Sequence, residues 1–386
     1  MAEALTGAPD EVVTNAIVRM VSLTPFGHNG ELALITLDNG ADHTRPNTFG
    51  PASLNALASA IDQVQKTDAV AIAVTGKPFI FAAGADLSGV GAVKEKSVAT
   101  AFGELGHEVF LKLHESKKPT FAFINGLALG GGLEVGLNAH YRTLASTAFT
   151  GLPECFLGLV PGWGGATLLP KLIGAENAVQ VIILNALNNN TMMKAKDALK
   201  LGVVDAMFEP ADFLERSIGF AVGVLNGTTK IERADYSNDP AWESALATGK
   251  AAALKKYGGA TIASPMKALE LIAAAKSNTL GEGFDAEDQV LADLTMSDPL
   301  RASLYAFNLI QKKRKKVEGA PKPALARKVS RIGVVGAGLM ASQLALLLLR
   351  NLKCPVVMTD IDQERADKGV AWVKNELAKL VEKKRM

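Results

Sequence analysis

Only two cysteines occur in the 386 residues, Cys155 and Cys354, and they lie in unrelated segments. That spacing excludes a disulfide framework and a thiolate metal site, and it suits a reducing compartment, so a cytoplasmic location is expected. Excess charge is missing too. A formal net charge of +2 leaves no field to gather nucleic acid. Long apolar runs are also absent. Leu344–Leu349 is the densest stretch and falls far short of the ~20 residues of a membrane span. The first residues, Met1-Ala2-Glu3-Ala4, are acidic and carry no basic region before an apolar core, so neither a secretory signal nor a transit peptide is expected.

What the chain does contain is glycine in clusters beside carboxylates. Residues 126–134 read Gly-Leu-Ala-Leu-Gly-Gly-Gly-Leu-Glu. Three glycines opening a helix let another molecule approach the backbone, because no Cβ intervenes. The free N–H groups of a first helical turn favour negative charge. Glu134 lies three residues past Gly131, about one turn into that helix. A second acid, Glu154, follows a strand-like stretch and the turn Gly151-Leu152-Pro153. A second small-residue loop, Phe81-Ala82-Ala83-Gly84-Ala85-Asp86, follows the buried strand pattern of Ile72–Thr75. An oxyanion hole needs two donors aimed at one oxygen, and Ala85 and Gly131 are expected to supply one N–H each. Two carboxylates beside it are the equipment for moving a proton next to a carbonyl.

Strand and helix signals alternate along the chain, which argues for an α/β layer fold with parallel strands. Ile17–Leu23 and Leu32–Leu37 read as a strand pair. Ala69–Val74, Thr120–Ile124, Tyr141–Ser146 and a short strand starting at Val203-Val204 follow. Ser53–Val64 is an amphipathic helix with Leu54, Leu57, Ile61 and Val64 inward. Ala101–His114 is another, with Phe102, Leu105, Val109 and Leu113 inward. On that helix His107 and His114 read as surface or packing residues. Cys155 reads as a small buried side chain, Trp163 as a packing wall and Asp86 as a turn cap.

The stretch from Gln311-Lys312-Lys313-Arg314-Lys315-Lys316 to Pro321-Lys322-Pro323 reads as a linker with solvated charges; its functional alternative is a contact to phosphates or to an acidic partner. Beyond it, the strand Arg331–Val335 runs into Gly336-Ala337-Gly338-Leu339-Met340-Ala341, the G-x-G-x-x-A form of the dinucleotide fingerprint. A helix, a second strand and Asp360 about twenty residues on complete its context. Gly336, Gly338 and Ala341 suit a pyrophosphate at the helix start, and Asp360 suits the ribose hydroxyls. Only one strand–helix–strand unit and one further helix precede Met386.

Together, the Phe81–Asp86 loop, Asn125 through Glu134, Gly151–Glu154 and Gly158-Leu159-Val160-Pro161-Gly162-Trp163-Gly164-Gly165 resemble the crotonase (enoyl-CoA hydratase/isomerase) family, and within it the multifunctional β-oxidation α chains. The resemblance implies a spiral of ββα units with C-terminal helices over residues 1–300. A linker over 301–330 follows, then a partial Rossmann-type βαβ of a 3-hydroxyacyl-CoA dehydrogenase domain over 331–386. It implies hydration of a trans-2-enoyl-CoA with no cofactor, with Glu134 activating water and Glu154 supplying the α-carbon proton. NAD is expected only for a complete dehydrogenase domain, whose catalytic His–Glu pair lies further along than residue 386. A thiolase β subunit and a homo-oligomer are the expected partners. Enoyl-CoA isomerisation, a non-catalytic CoA-binding subunit and an NAD-dependent oxidoreductase remain as alternatives.

Overall fold

The computed structural model describes residues 11–90, 93–310 and 319–382. The chain divides into two compact units, Met1–Gln311 and Lys312–Met386. The basic run at 311–316 and the first residues of the chain lie outside the described residues.

The first unit begins with β1 (Asn15–Ser22) and β2 (Glu31–Asp38), an antiparallel pair in register from Asn15↔Asp38 to Ser22↔Glu31. Helix α1 (Pro51–Gln65) follows, with Pro51 at its first position, where the missing N–H costs nothing. It buries Leu54, Leu57, Ile61 and Val64, the stripe read from the sequence. From there each turn of the chain lays a longer strand into one sheet and a short strand into another. These are β3 (Ala71–Gly76) with β4 (Ile80–Ala82), β5 (Thr120–Ile124) with β6 (Leu127–Leu129), and β7 (Tyr141–Ala145) with β8 (Phe149–Gly151). Two further strands, β9 (Met193–Lys194) and β10 (Ala206–Phe208), close the sheets. Their orders are β1-β2-β3-β5-β7-β10 and β4-β6-β8-β9. The β2-to-β10 run is parallel, and β3 and β5 are buried along their whole length, as parallel strands covered on both faces must be.

Helices fill the gaps between strands. They are α2 (Leu87–Val90) and α3 (Lys96–His114) after β4, α4 (Gly131–Asn138) after β6, and α5 (Glu154–Leu157) and α6 (Gly165–Val179) after β8. A π-helical turn, Gln180–Leu184, carries α6 into α7 (Asn185–Leu187). Gly165–Leu187 is the one stretch among the described residues long and apolar enough to cross a membrane, and most of it is buried inside this unit. Helices α8 (Ala195–Lys200), α9 (Phe213–Leu225), α10 (Trp242–Lys256), α11 (Ala263–Ala275), α12 (Leu280–Thr295) and α13 (Asp298–Asn308) complete the unit. Residue 300 falls inside α13.

Two expectations fail here. Val203 and Val204 are not strand. The Val203 N–H bonds the Ala198 carbonyl and closes the end of α8, so β10 starts at Ala206. The inward stripe of α3 is also rotated in part: Val109 and Leu113 are buried as expected, but its other half lies elsewhere. Gly103, Gly106, His107 and Phe110 are buried, whereas Phe102 and Leu105 are half-buried. Glycine rather than bulk decides this face. A Cβ on Gly103 would overlap the Asp288 carboxylate of α12, and one on Gly106 the Trp163 indole.

The second unit pairs β11 (Ile332–Val335) with β12 (Val356–Thr359) in parallel, linked through α14 (Leu339–Leu352) and followed by α15 (Gln363–Glu382). Val334, Leu346 and Val356 are half-buried. The bare apolar side chains are on the other strand face and the start of α14: Val335 is 89% exposed and Met340 74%. Period-two alternation explains it, since one face of the pair takes the cover and the other receives none.

Candidate active site

The loop after β4 and the start of α4 meet because both lack side chains. Gly84 has φ +83°, and a Cβ there would lie 3.1 Å from the Gly131 nitrogen. Phe49 bridges Ala85 in parallel fashion: its N–H donates to the Gly84 carbonyl, and its carbonyl accepts from the Asp86 N–H. The N–H of Ala85 itself therefore points to the opposite side. Gly130, at φ +54°, is the N-cap of α4, and its carbonyl accepts from Leu133 and Glu134. The N–H of Gly131 belongs to the first turn, which has no partner within the helix.

Both acids project beside these amides. Glu134 is 2% exposed, and its Oε1 accepts from the backbone N–H groups of Trp163 and Gly165, each at 2.8 Å. Glu154 opens α5. Its Oε1 lies over Gly130, where a Cβ would come within 2.5 Å of it, and its Oε2 is buried without a hydrogen-bond partner. Ala85, Gly131, Glu134, Glu154 and Trp163 all line one cavity of about 500 Å³, whose remaining wall is largely apolar, with Val98, Phe102 and Leu291. A buried acceptor aimed into a mostly apolar cavity is the pattern of a small-molecule site.

Environment separates the two acids. Burial is the main force raising Glu134 to about 7. The neighbouring Glu287 adds to it, while the Trp163 and Gly165 amides and His107 oppose it. Glu154 is pushed well above the ordinary carboxylate range by burial and then by Glu134, with no side-chain partner to offset them. The two acids therefore sit in unlike settings, Glu134 held by two amide donors and Glu154 by none on its buried Oε2.

Trp163 is the packing wall expected of it. Its indole lies between Gly106 and Gly131, edge-on to Phe49, Phe102 and Phe110. Cys155 is buried, and burial pushes its thiol up to about 12, so it is inert. His107 is a correction: it is 5% exposed and held between two carboxylates. It and its partner Glu287 were missed. The available signal was polar residues on apolar stripes, His107 between Gly103 and Phe110, and Glu287 between Phe284 and Leu291.

In the second unit Gly336 has φ +100° and its N–H donates to the Thr359 carbonyl, while Gly338 caps α14. A Cβ on Gly338 would meet nothing within 4 Å, and one on Gly336 would only touch Ala341. Asp360 turns back onto this loop: Oδ2 accepts from Ala337 N–H at 2.6 Å and Oδ1 from Ile361 N–H, bonds that hold its carboxyl below the ordinary range. An ionised carboxylate has about four acceptor positions. Open space at the helix start and spare acceptors beside it fit a dinucleotide, with the pyrophosphate on α14 and the ribose at Asp360. Among the described residues no group of three or more His, Cys, Asp or Glu side chains forms a metal site.

Residues 27–256 match the enoyl-CoA hydratase/isomerase family, and residues 331–386 match the NAD binding domain of 3-hydroxyacyl-CoA dehydrogenase. The fatty acid oxidation complex subunit alpha of Idiomarina loihiensis is 32% identical over 347 residues, covering 87% of this chain and 47% of that protein. Enoyl-CoA hydratase from Bacillus halodurans shares the fold with a TM-score of 0.53 at 18% identity, over 75% of this chain and 99% of its own. The human mitochondrial delta3-delta2-enoyl-CoA isomerase does so equally, with a TM-score of 0.53 at 18% identity over 78% of this chain and 99% of its own. The chain belongs to the enoyl-CoA hydratase/isomerase family. It spans about half the length of the curated relatives it matches.

Proposed function

We propose that the first unit hydrates trans-2-enoyl-CoA thioesters of fatty-acid β-oxidation to 3-hydroxyacyl-CoA. The observation that carries this reading is the buried pair Glu134 and Glu154, one held by two backbone amides and the other with an unpartnered oxygen, on the cavity that also holds Gly131. The thioester oxygen sits on the Ala85 and Gly131 N–H groups, which draws electrons from the double bond and leaves the β carbon electrophilic. Glu134 takes a proton from water as its oxygen bonds the β carbon. The enolate charge rests in the oxyanion hole, and removing one such donor typically costs ~3 kcal/mol of transition-state stabilisation. The protonated Glu154 then donates to the α carbon. Solvent exchange returns both carboxyls to their starting forms.

Isomerisation uses a single shuttling carboxylate, so two acids held in different protonation states favour hydration. A non-catalytic CoA-binding subunit would have no need of two buried acids at a cost in stability. Loss of crotonyl-CoA absorbance on adding the purified protein tests the reading, and no loss at any pH would end it. The acid pair sets the shape of the pH profile. Since the base must be ionised and the acid protonated, kcat/KM follows a bell, with its acidic limb near 7 and its alkaline limb higher. A rate flat from pH 6 to 9 contradicts the assignment.

NAD, when bound, supplies hydride chemistry for a 3-hydroxyacyl group; in this chain Gly336, Gly338 and Asp360 would hold it. Calorimetric titration with NAD, with and without Asp360→Ala, tests that assignment, and an affinity unchanged by the substitution would contradict it. A homo-oligomer, assembly with a thiolase β subunit and a cytoplasmic setting complete the proposal. The oxidation-complex relatives and the two free, buried cysteines support it.

A further inference from the structure

Behind the acid pair lies a second buried charge cluster. Trp163, Gly164 and Gly165 are consecutive. The outer two give their N–H groups to Glu134, and the middle one gives its N–H to Glu287 Oε2 at 2.7 Å. Gly164 makes this split possible: at φ +103° it turns the middle amide away from its neighbours. Two carboxylates, from α4 and α12, thus grip three successive amides at the start of α6. Glu287 is fully buried and its Oε1 has no hydrogen-bond partner. A buried anion of this kind needs a cation. His107 of α3 supplies it, with Nε2 3.1 Å from Glu287 Oε2 and Nδ1 3.0 Å from Asp288 Oδ1. Both ring nitrogens face carboxylate oxygens, and imidazole donates from both only as the imidazolium. Burial alone would lower its pKa, but the bonds to Asp288 and Glu287 outweigh it and raise it to about 9. The ring stacks on Phe284, with centroids 4.3 Å apart.

We propose that His107 and Glu287 are positioning residues for Glu134: the pair fixes the turn that orients the base and keeps one cation and one anion in its field. The proposal rests on the hydratase reading for its kinetics, though not for its geometry. The charged groups around Glu134 are Glu154 from α5, Glu287 and Asp288 from α12, and His107 with Glu104 from α3, the last acting through Asp288. None of the α3 and α12 acids or His107 lines the cavity, so acyl-CoA binding should not depend on their charge.

The test is the pH dependence of crotonyl-CoA hydration in the full chain. His107→Gln removes the cation and should move the acidic limb of kcat/KM up by roughly half a pH unit or more; Glu287→Gln removes the anion and should move it down. The double variant should return toward wild type, and KM should change little in all three. A loss of rate from loosened packing would not move the limb in opposite directions. Limbs unmoved, or moved the same way in both variants, overturn the proposal. Imidazole nitrogen NMR on the unmutated chain stands apart from catalysis and from variant folding. His107 should be doubly protonated at pH 7.5, and a neutral ring there overturns the proposal even if hydration is confirmed. A doubly protonated ring in a protein that hydrates nothing would leave the cluster standing and end the functional reading alone.

Discussion

Glu154→Gln lowers crotonyl-CoA hydration by roughly a hundred- to ten-thousand-fold, the range that general acid catalysis supplies. Glutamine matches the shape of the acid but cannot deliver a proton to the α carbon. Little else should change. The Glu154 Oε2 has no hydrogen-bond partner to lose, and the substitution exchanges a neutral carboxyl for a neutral amide of the same shape. The variant should therefore bind acyl-CoA and melt near the wild-type temperature. Glu134→Gln should lose a similar factor in rate. Its remaining carbonyl can still accept from Trp163 and Gly165, but as a weaker acceptor than the carboxylate. The readouts are turnover, acyl-CoA affinity by calorimetry, and thermal melting. A double Gln variant with near wild-type turnover would show that the proton moves elsewhere.

Gly131→Val should abolish most activity for a different reason. The first Cβ would come within 2.5 Å of the Trp163 ring, which cannot retreat because Gly106 backs its other side. Overpacking of this kind typically costs 1–3 kcal/mol, about, and here it also shifts the amide that holds the thioester oxygen. From the sequence alone, a side chain here would be expected to block substrate without unfolding anything. The structure adds a stability cost, because the residue is pinned by protein before substrate arrives. Rate, affinity and melting temperature should all fall, and unchanged kinetics would place the donor elsewhere.

The glycine loops were legible in the sequence because their requirement is local. A backbone that must be approached closely shows as a run of residues without side chains. Strands β3 and β5 were legible for a similar reason, since both are short apolar runs buried on both faces, whereas the two- and three-residue strands of the second sheet left no such signal. The cluster behind the site was not, because His107 and Glu287 are 180 residues apart and meet only when α3 packs on α12. A stripe judged by bulk chose Phe102 and Leu105 and passed over Gly103 and Gly106, whose lack of bulk lets α12 and Trp163 come close. In the second unit the fingerprint was readable in order, yet which strand face stays bare depends on where its cover lies, and alternation alone does not say that.

Glu134, Glu154 and His107 share a property that reaches the whole molecule: each holds its proton more tightly in the fold than in the unfolded chain. Folding at neutral pH therefore takes up protons from the buffer. Glu134 goes from an ordinary 4.5 to about 7, and His107 from 6.5 to about 9. Their contribution is full at pH values below the unfolded-state figures and is lost as pH rises through the folded ones. Melting temperature should decline from about pH 5 to 9 by this linkage, and a rise across that span would contradict it. The same ionisation that arms Glu134 for catalysis weakens the fold around it, so the enzyme gains rate and loses thermal endurance along one axis.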